Sequence, residues 1–358
     1  MDVYIIGLFL TMLLFGIVRT IEYKNRYFVL ANIFKVRIPH FIKILPMLPL
    51  TIIAGIRYNV GYDYNKTYVN IFKMVASGNS DQAWGDLGYT MLNKLVTYFT
   101  DDYAGIFIVT AVIFCACVTG GIYQESKDWV FSAFLLVCAG YYFNFLNGMR
   151  QMLAIAVVMM SIKYVRQRDF RKYILVVAIA CLFHLSTLVF IPVYFLYGVK
   201  LNNYQRATIV AAVFVGSKAV AFLVQKIIMY TKYSWYYTDN YISVREGYIA
   251  TLMTLFIFLF VCFVSRDEDD NIFINMQMIA ACVQALVGLI PQINRIGWYY
   301  SFTTIFLIPN VVNGIKSKKM AFFIKMCLYI LYLAYFIYTV GVKNSNAVLP
   351  YNTIFDRW

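Results

Sequence analysis

The chain has 358 residues, of which 62% are hydrophobic, 18% aromatic and only 13% charged, and it carries a formal charge of +14. A soluble globular chain holds about 25% charged residues, so an ordinary water-soluble domain is excluded along most of this length and lipid is the expected solvent. The surplus of 31 Lys and Arg over 17 Asp and Glu sits largely in short connections, which reads as loops kept on the cytoplasmic side and not as a nucleic-acid footprint.

Taken in chain order, the predicted membrane spans are 3–18, 41–56, 104–121, 129–146, 149–165, 207–224, 248–265, 272–290, 296–313 and 320–340. Each is long and apolar enough to cross a hydrocarbon core of roughly 30 Å as a helix. The first has no basic leader and no small-residue cleavage site, so it is expected to be a retained helix. The expected fold is therefore an all-α polytopic membrane protein, a single transmembrane domain over 1–358 with about ten transmembrane helices.

Basic clusters from Arg19 to Lys43, over 163–172 and at Lys316 to Lys319 mark three cytoplasmic points. Four spans between the first two satisfy parity and put the N-terminus outside. A single crossing at 172–199 would move Lys316 to Lys319 to the outer face. That stretch is therefore expected to be a re-entrant pair of half-helices turning near Phe183-His184-Leu185-Ser186, the rival being one full helix here and a re-entrant piece elsewhere. The extracytoplasmic segments are then 57–103, 225–247 and the tail 341–358.

Those segments are dense in aromatic residues: Tyr58, Tyr62, Tyr64, Tyr68, Trp84, Tyr89 and Tyr98 in the first, and Tyr230, Tyr233, Trp235, Tyr236, Tyr237, Tyr241 and Tyr248 in the second. An aromatic belt at the headgroups explains many of them. Rings that stack on sugars give the same pattern.

Ionisable groups at the outer ends of spans are the informative ones, because basic residues are not favoured there. Arg57 opens Arg57-Tyr-Asn-Val-Gly-Tyr-Asp63-Tyr64, Arg150 lies in Asn147-Gly-Met-Arg-Gln151, and Arg295 follows Asn294. Each alone could snorkel to the headgroups. Three together suit a pyrophosphate, which guanidinium groups bind bidentately without losing their charge. His184 is either a hydrogen-bonded core histidine or a group that meets substrate and moves a proton. Asp63 is either an ion-pair partner of Arg57 or a base, and Asp86 is a weaker candidate of the same type. Adjacent Asp101 and Asp102 read as a cap on the following helix. The seven cysteines lie mostly in apolar runs without a CxxC spacing, and two histidines do not complete a metal site, so neither a metal nor a cofactor is expected.

Five pieces in order carry a resemblance: Arg57 to Tyr64, Asn147-Gly-Met-Arg-Gln-Met-Leu-Ala154, Phe183-His-Leu-Ser186 with Ile191-Pro-Val-Tyr194, Asn294-Arg295 leading to Tyr299, and Leu349-Pro-Tyr351. In these the chain resembles the EpsG family of Wzy-type polysaccharide polymerases. The family's acidic-Gly signal appears with Leu87 between Asp86 and Gly88. The resemblance implies a glycosyltransferase of the bacterial plasma membrane, with a fold like that of O-antigen ligases and, more loosely, GT-C transferases. It would join undecaprenyl-diphosphate-linked repeat units into O-antigen, capsule or exopolysaccharide on the outer face. Partners so implied are the lipid-linked donor and acceptor, membrane lipid and a chain-length regulator. On this reading Arg57, Arg150 and Arg295 hold the diphosphate, Asp63 or His184 acts on the acceptor hydroxyl, and Tyr64, Asn147, Gln151 and Tyr299 touch sugar. An O-antigen ligase and a lipid-linked glycan flippase are the alternatives.

Overall fold

The computed structural model describes residues 1–30, 40–80, 86–230, 234, 248–265 and 267–357, with the backbone alone at 23–30, 40–41 and 248. Trp84 and Tyr233, Trp235, Tyr236, Tyr237 and Tyr241 of the expected aromatic segments lie outside the described residues. The described regular structure is helical, joined by turns, irregular segments and two isolated bridges.

The helices in order are α1 (Asp2–Leu30), α2 (Leu48–Gly55), α3 (Asn70–Ala76), α4 (Leu87–Thr97), α5 (Ala104–Glu125), α6 (Trp129–Cys138), α7 (Tyr141–Asn147), α8 (Met149–Met159), α9 (Ile162–Arg166) and α10 (Phe170–Phe183). They continue as α11 (Val193–Leu196), α12 (Asn203–Val215), α13 (Ser217–Ile228), α14 (Tyr248–Val264), α15 (Asn271–Gln284), α16 (Ile293–Ser301), α17 (Thr304–Asn313) and α18 (Lys318–Phe336).

Among the described residues three helices are long and apolar enough to cross a membrane unaided: Asp2–Glu22 within α1, Ala104–Glu125, and Lys318–Val342, which extends α18. Two bent pairs, α6 with α7 and α12 with α13, raise the number to five. These make the chain a multi-pass membrane protein. The figure of about ten is not reached because many apolar runs of the sequence are broken helices. Gly140, at φ 91°, separates α6 from α7, and Gly216 separates α12 from α13 with a 71° bend. The run 296–313 divides at Phe302 and Thr303. The break expected near 183–186 is present: His184 is extended (φ −160°, ψ 116°) and ends α10, and a 3-10 segment follows from Leu185 to Phe190.

The chain forms two compact units, residues 1–188 with 322–358, and residues 189–321. In the first, α5 packs against α2 and α8, α8 against α10, and α4 against both α10 and α3. Two ties fix how α5, α8 and α9 align. Thr110 Oγ1, in the second turn of α5, donates to Met149 Sδ at the start of α8, and Arg166 at the end of α9 pairs with Glu125 at the end of α5, 3.0 Å apart. These elements therefore run parallel, and α10 returns from the Arg166 end to finish at His184.

Several polar residues near the Arg166 end are paired. Asp128 caps α6 and takes ion pairs from Arg19 at 3.3 Å and Lys325 at 2.5 Å. In the second unit, α15 packs against α12, α14 and α16. There the buried Arg206 is held by three asparagine oxygens, Asn203, Asn271 and Asn275.

Candidate functional site

Asp86 stands in extended backbone (φ −68°, ψ 147°) immediately before α4. Two residues on, Gly88 meets the end of α10 backbone to backbone. A Cβ on Gly88 would lie 2.8 to 3.0 Å from the Cβ, O and C of Leu182, closer than real side chains come. The missing side chain thus lets the start of α4 sit on the last turn of α10, where the helix is about to end at His184.

That approach gathers three charged or titratable side chains. Asp86 Oδ2 lies 3.1 Å from His184 Nδ1 and 3.4 Å from Arg150 Nη1, and Asp86 Oδ1 accepts the Leu185 amide at 3.4 Å. All three are partly open, with side chains 21%, 26% and 23% exposed for Asp86, His184 and Arg150. Burial works to raise the Asp86 carboxyl, but the hydrogen bond and charge of His184, then Arg150 and the Leu185 amide, outweigh it and hold the group below the usual carboxylate range. When the ring is neutral, a carboxylate that accepts a hydrogen bond from Nδ1–H fixes the tautomer in which Nε2 is the bare, basic nitrogen. The cluster is therefore equipped to take a proton from a hydroxyl beside a fixed positive charge.

Arg57 has a different setting. Only 1% of it is exposed; its guanidinium lies 5.0 Å from the Phe107 ring centre and 6.0 Å from that of Tyr64, and Nη2 donates to Met149 Sδ at 3.8 Å. Its Nε and Nη1 have no hydrogen-bond partner. The ion pair expected as one reading of Asp63 is not formed, because rings and a thioether surround the guanidinium instead. Asp63 is half-buried and precedes the π-helical turn Tyr64–Val69.

Three of the five motif pieces assemble around Arg57. Arg57 and Thr353 form an antiparallel bridge, flanked by Tyr58 N donating to Asn352 O and Ile354 N donating to Ile56 O, 2.9 and 2.8 Å. Asn147 ties the pieces together: its Oδ1 accepts Tyr62 N at 2.7 Å while Nδ2 donates to Asn346 O at 2.9 Å and Phe143 O at 3.2 Å. Gly61, at φ 100°, could not carry a side chain, since its Cβ would be 2.9 Å from Leu146 O.

Three of the four residues expected to touch sugar, Tyr64, Gln151 and Tyr299, lie in the packed interior, and Asn147 is half-buried. Tyr64 is fully buried and stacks on Phe107 with ring centres 4.3 Å apart, Gln151 is 2% exposed, and Tyr299 is fully buried. Asn147 spends its amide on the chain itself. Arg295 and Tyr299 belong to the second unit, where Arg295 lies on the first turn of α16 with its guanidinium 6.0 Å from the Trp298 ring centre. Arg57, Arg150 and His184 all belong to the first.

The model of the EpsG family matches residues 40–353. The chain belongs to the EpsG family. The family is linked to exopolysaccharide biosynthesis. No curated protein and no solved structure matches the chain significantly.

In this EpsG chain one feature was undervalued by the amino-acid pattern and another escaped it. Asp86, ranked there as a lesser candidate, is the residue on which Arg150 and His184 converge; the signal was Gly88, whose need is explained by the Leu182 backbone. The other is Arg357, which lies beyond the family match. Its Nη1 reaches both oxygens of Asp102 at 2.8 Å, and its guanidinium lies 4.4 Å from the Tyr103 ring centre. Asp102 also accepts the Ala104 amide at 2.9 Å, one position before Tyr103, which is the N-cap of α5 and makes no side-chain cap bond, so the expected cap is not formed as such. Among the described residues no group of three or more His, Cys, Asp and Glu is gathered to hold a metal ion.

Proposed function

We propose that this EpsG-family chain is a glycosyltransferase that polymerises undecaprenyl-diphosphate-linked repeat units on the outer face of the bacterial plasma membrane, with His184 as the base. The observation that carries the reading is the Asp86–Arg150–His184 cluster. It stands at the end of α8 opposite Arg166, sixteen residues or roughly 24 Å away along α8 and α9. With the basic 163–172 loop inside, the cluster faces out.

In the proposed step the acceptor hydroxyl attacks the anomeric carbon of the donor glycan. A new C–O bond forms, the bond from the anomeric carbon to the phosphate oxygen breaks, and undecaprenyl diphosphate leaves with the electron pair. The hydroxyl proton goes to His184 Nε2. Asp86 holds the ring and offsets the imidazolium that results. Arg150 faces the diphosphate, whose charge grows as the bond breaks, so that its guanidinium stabilises the transition state more than the ground state. Such a donor already has a good leaving group, and a second carboxylate across the bond is not required.

The test is deletion of the gene in its own host, with restoration by wild type, Arg150→Ala, His184→Ala or Arg295→Ala, and inspection of surface glycan and lipid-linked sugars on gels. A surface limited to one repeat unit, with the cluster variants failing to restore the ladder, is the expected result. Long glycan accumulating on undecaprenyl diphosphate would make the protein a ligase. An unchanged ladder would remove both readings, and loss of lipid-linked sugar from the outer leaflet would make it a flippase. The Arg295 variant asks whether the second unit contributes an arginine to the same reaction.

A further inference from the structure

α7 and α8 are two parts of one run that breaks at Gly148, whose backbone (φ −85°, ψ 51°) is not helical. Such a break takes backbone groups on either side of it from their helical partners, and in a buried setting each needs another. One side chain serves both. The hydroxyl of Tyr68 accepts from the Met149 amide at 2.6 Å and donates to the Asn147 carbonyl at 2.7 Å. Tyr68 itself is 2% exposed, too deep for a headgroup belt or a sugar platform, the two readings its place in the sequence allowed.

The first residue of α8 is held by its side chain as well. Met149 Sδ accepts from Thr110 Oγ1 of α5 at 3.0 Å and from Arg57 Nη2 at 3.8 Å. The next residue is Arg150, whose guanidinium reaches Asp86 across 3.4 Å, so a shift at the start of α8 passes directly into that distance. On its other side the Tyr68 ring meets Tyr89 edge to face, with ring centres 6.0 Å apart. Tyr89 is fully buried on α4, three residues beyond Asp86. Tyr68 therefore touches both elements that carry the pair, α8 at its first amide and α4 close to the carboxylate.

We propose that Tyr68 is a positioning residue, which with Met149 locks the break at Gly148 and so sets the Arg150 guanidinium against Asp86 beside His184. Its part in transfer rests on the reading under Proposed function, whereas its geometric part does not. Without the hydroxyl, the Met149 amide and the Asn147 carbonyl lose their partner in a buried place. The first turn of α8 then relaxes, and the guanidinium leaves the position where charge grows on the departing diphosphate.

The geometric part is read in the purified full chain without an activity assay. Modification of arginine by phenylglyoxal, mapped by mass spectrometry, reports whether Arg150 is held, and D86N sets the scale because it removes the charge of the pair. In Y68F the rate at Arg150 should rise most of the way from the wild-type value to that of D86N, and deuterium exchange over 147–152 should quicken with it. Y4F is the matched control: it removes another buried hydroxyl that donates to a backbone carbonyl, that of Val348, and should leave Arg150 as in wild type. Transfer of repeat units by Y68F should fall about 10- to 100-fold in kcat with KM for the lipid-linked donor nearly unchanged. In the D86N background the same substitution should cost less, since changes that act on one pair do not add. An Arg150 as slow to react in Y68F as in wild type, or a kcat loss of equal size with and without D86N, overturns the proposal. Should Y68F not fold, M149L loosens the same joint from its other side: it nearly keeps the volume and removes the sulfur that Thr110 and Arg57 hold. The same rise at Arg150 is then expected, and its absence again overturns the proposal. A glycan ladder unaffected by the cluster variants would remove the polymerase and leave the modification and exchange results standing.

Discussion

His184 and Asp86 stand 98 positions apart in the chain and meet at 3.1 Å, Nδ1 to Oδ2. The contact decides which of the two ring nitrogens is left to act. With Asp86 accepting from Nδ1, the other nitrogen is the base; without it, the tautomer is free to invert.

Replacing His184 with Ala should lower the rate of repeat-unit transfer by about 10² to 10⁴, the contribution of a positioned base. Asp86→Asn keeps the shape and removes the charge, so it should lower kcat by a smaller factor while KM for the lipid-linked donor stays nearly unchanged. Single-turnover transfer with purified variants and synthetic donor separates the two. A D86N enzyme that loses donor affinity and keeps kcat would instead make Asp86 a binding residue.

Asp86 also predicts a pH dependence of stability. Its carboxyl is held below the ordinary value, about 3.9 for a free aspartate, so the ionised group stabilises the fold above that pH and the contribution disappears as pH falls through the depressed folded value. Wild type and D86N, unfolded thermally in detergent, should differ by a constant interval from pH 5 to 8. The two curves should converge only below about pH 4. A gap that closes well above that range would show that the difference does not follow the Asp86 carboxyl.

Much of this architecture was legible in the amino-acid order because hydropathy and charge act locally. The apolar lengths of α1, α5 and α18 and the break at His184 follow from properties of the residues at those positions. What sequence could not supply were relations across the chain. Arg57 resembled a ligand-binding arginine at a span end, and only the neighbours Phe107, Met149 and Thr353 put it in the interior. Asn147 and Gln151 have the chemistry of sugar contacts, yet the polar groups that Asn147 satisfies belong to Tyr62, Phe143 and Asn346. Three to five of the expected spans are met by helices of sufficient length, and mean hydropathy did not register a bend such as that at Gly216 within the run 207–224.

Gly88→Ala should disable the site without touching a charged residue. Its new methyl would press on the Leu182 backbone, which has no flexible end to move aside, so α4 must withdraw from α10 and take Asp86 with it. Overpacking of this kind costs about 1 to 3 kcal/mol. Gly16→Ala is the control, because nothing lies within 4 Å of that position and the change favours a helix. Thermal unfolding of both should show a loss for Gly88→Ala alone, accompanied by a fall in transfer rate like that of D86N.

Asn147→Ala distinguishes a brace from a sugar contact. The side chain accepts from Tyr62 and donates to Asn346 and Phe143, and removing it leaves a backbone donor and two carbonyls to find other partners, at about 1 to 3 kcal/mol. Stability and resistance to protease at the tail should drop, with transfer by the surviving folded fraction unchanged in KM. A stable variant with raised KM would restore Asn147 to the sugar site.

The orientation of the protein offers the most decisive check. Asp101 and Lys127 flank α5, whose 22 residues span about 33 Å, so they must emerge on opposite faces of the bilayer if α5 crosses it. Thr110 bonding Met149 places the Asp101 end beside Arg150, and Arg166 pairing with Glu125 places the Lys127 end beside the basic 163–172 loop. Both flanking residues are exposed. Asp101→Cys should react with a membrane-impermeant maleimide on intact cells, above the wild-type background, and Lys127→Cys only after permeabilisation. The reverse pattern would turn the cluster of Asp86, Arg150 and His184 toward the cytoplasm, where a polymerase of outer-leaflet glycan could not use it. Labelling of both from outside would mean that α5 does not cross at all, and the parity argument built on the basic loops would fall with it.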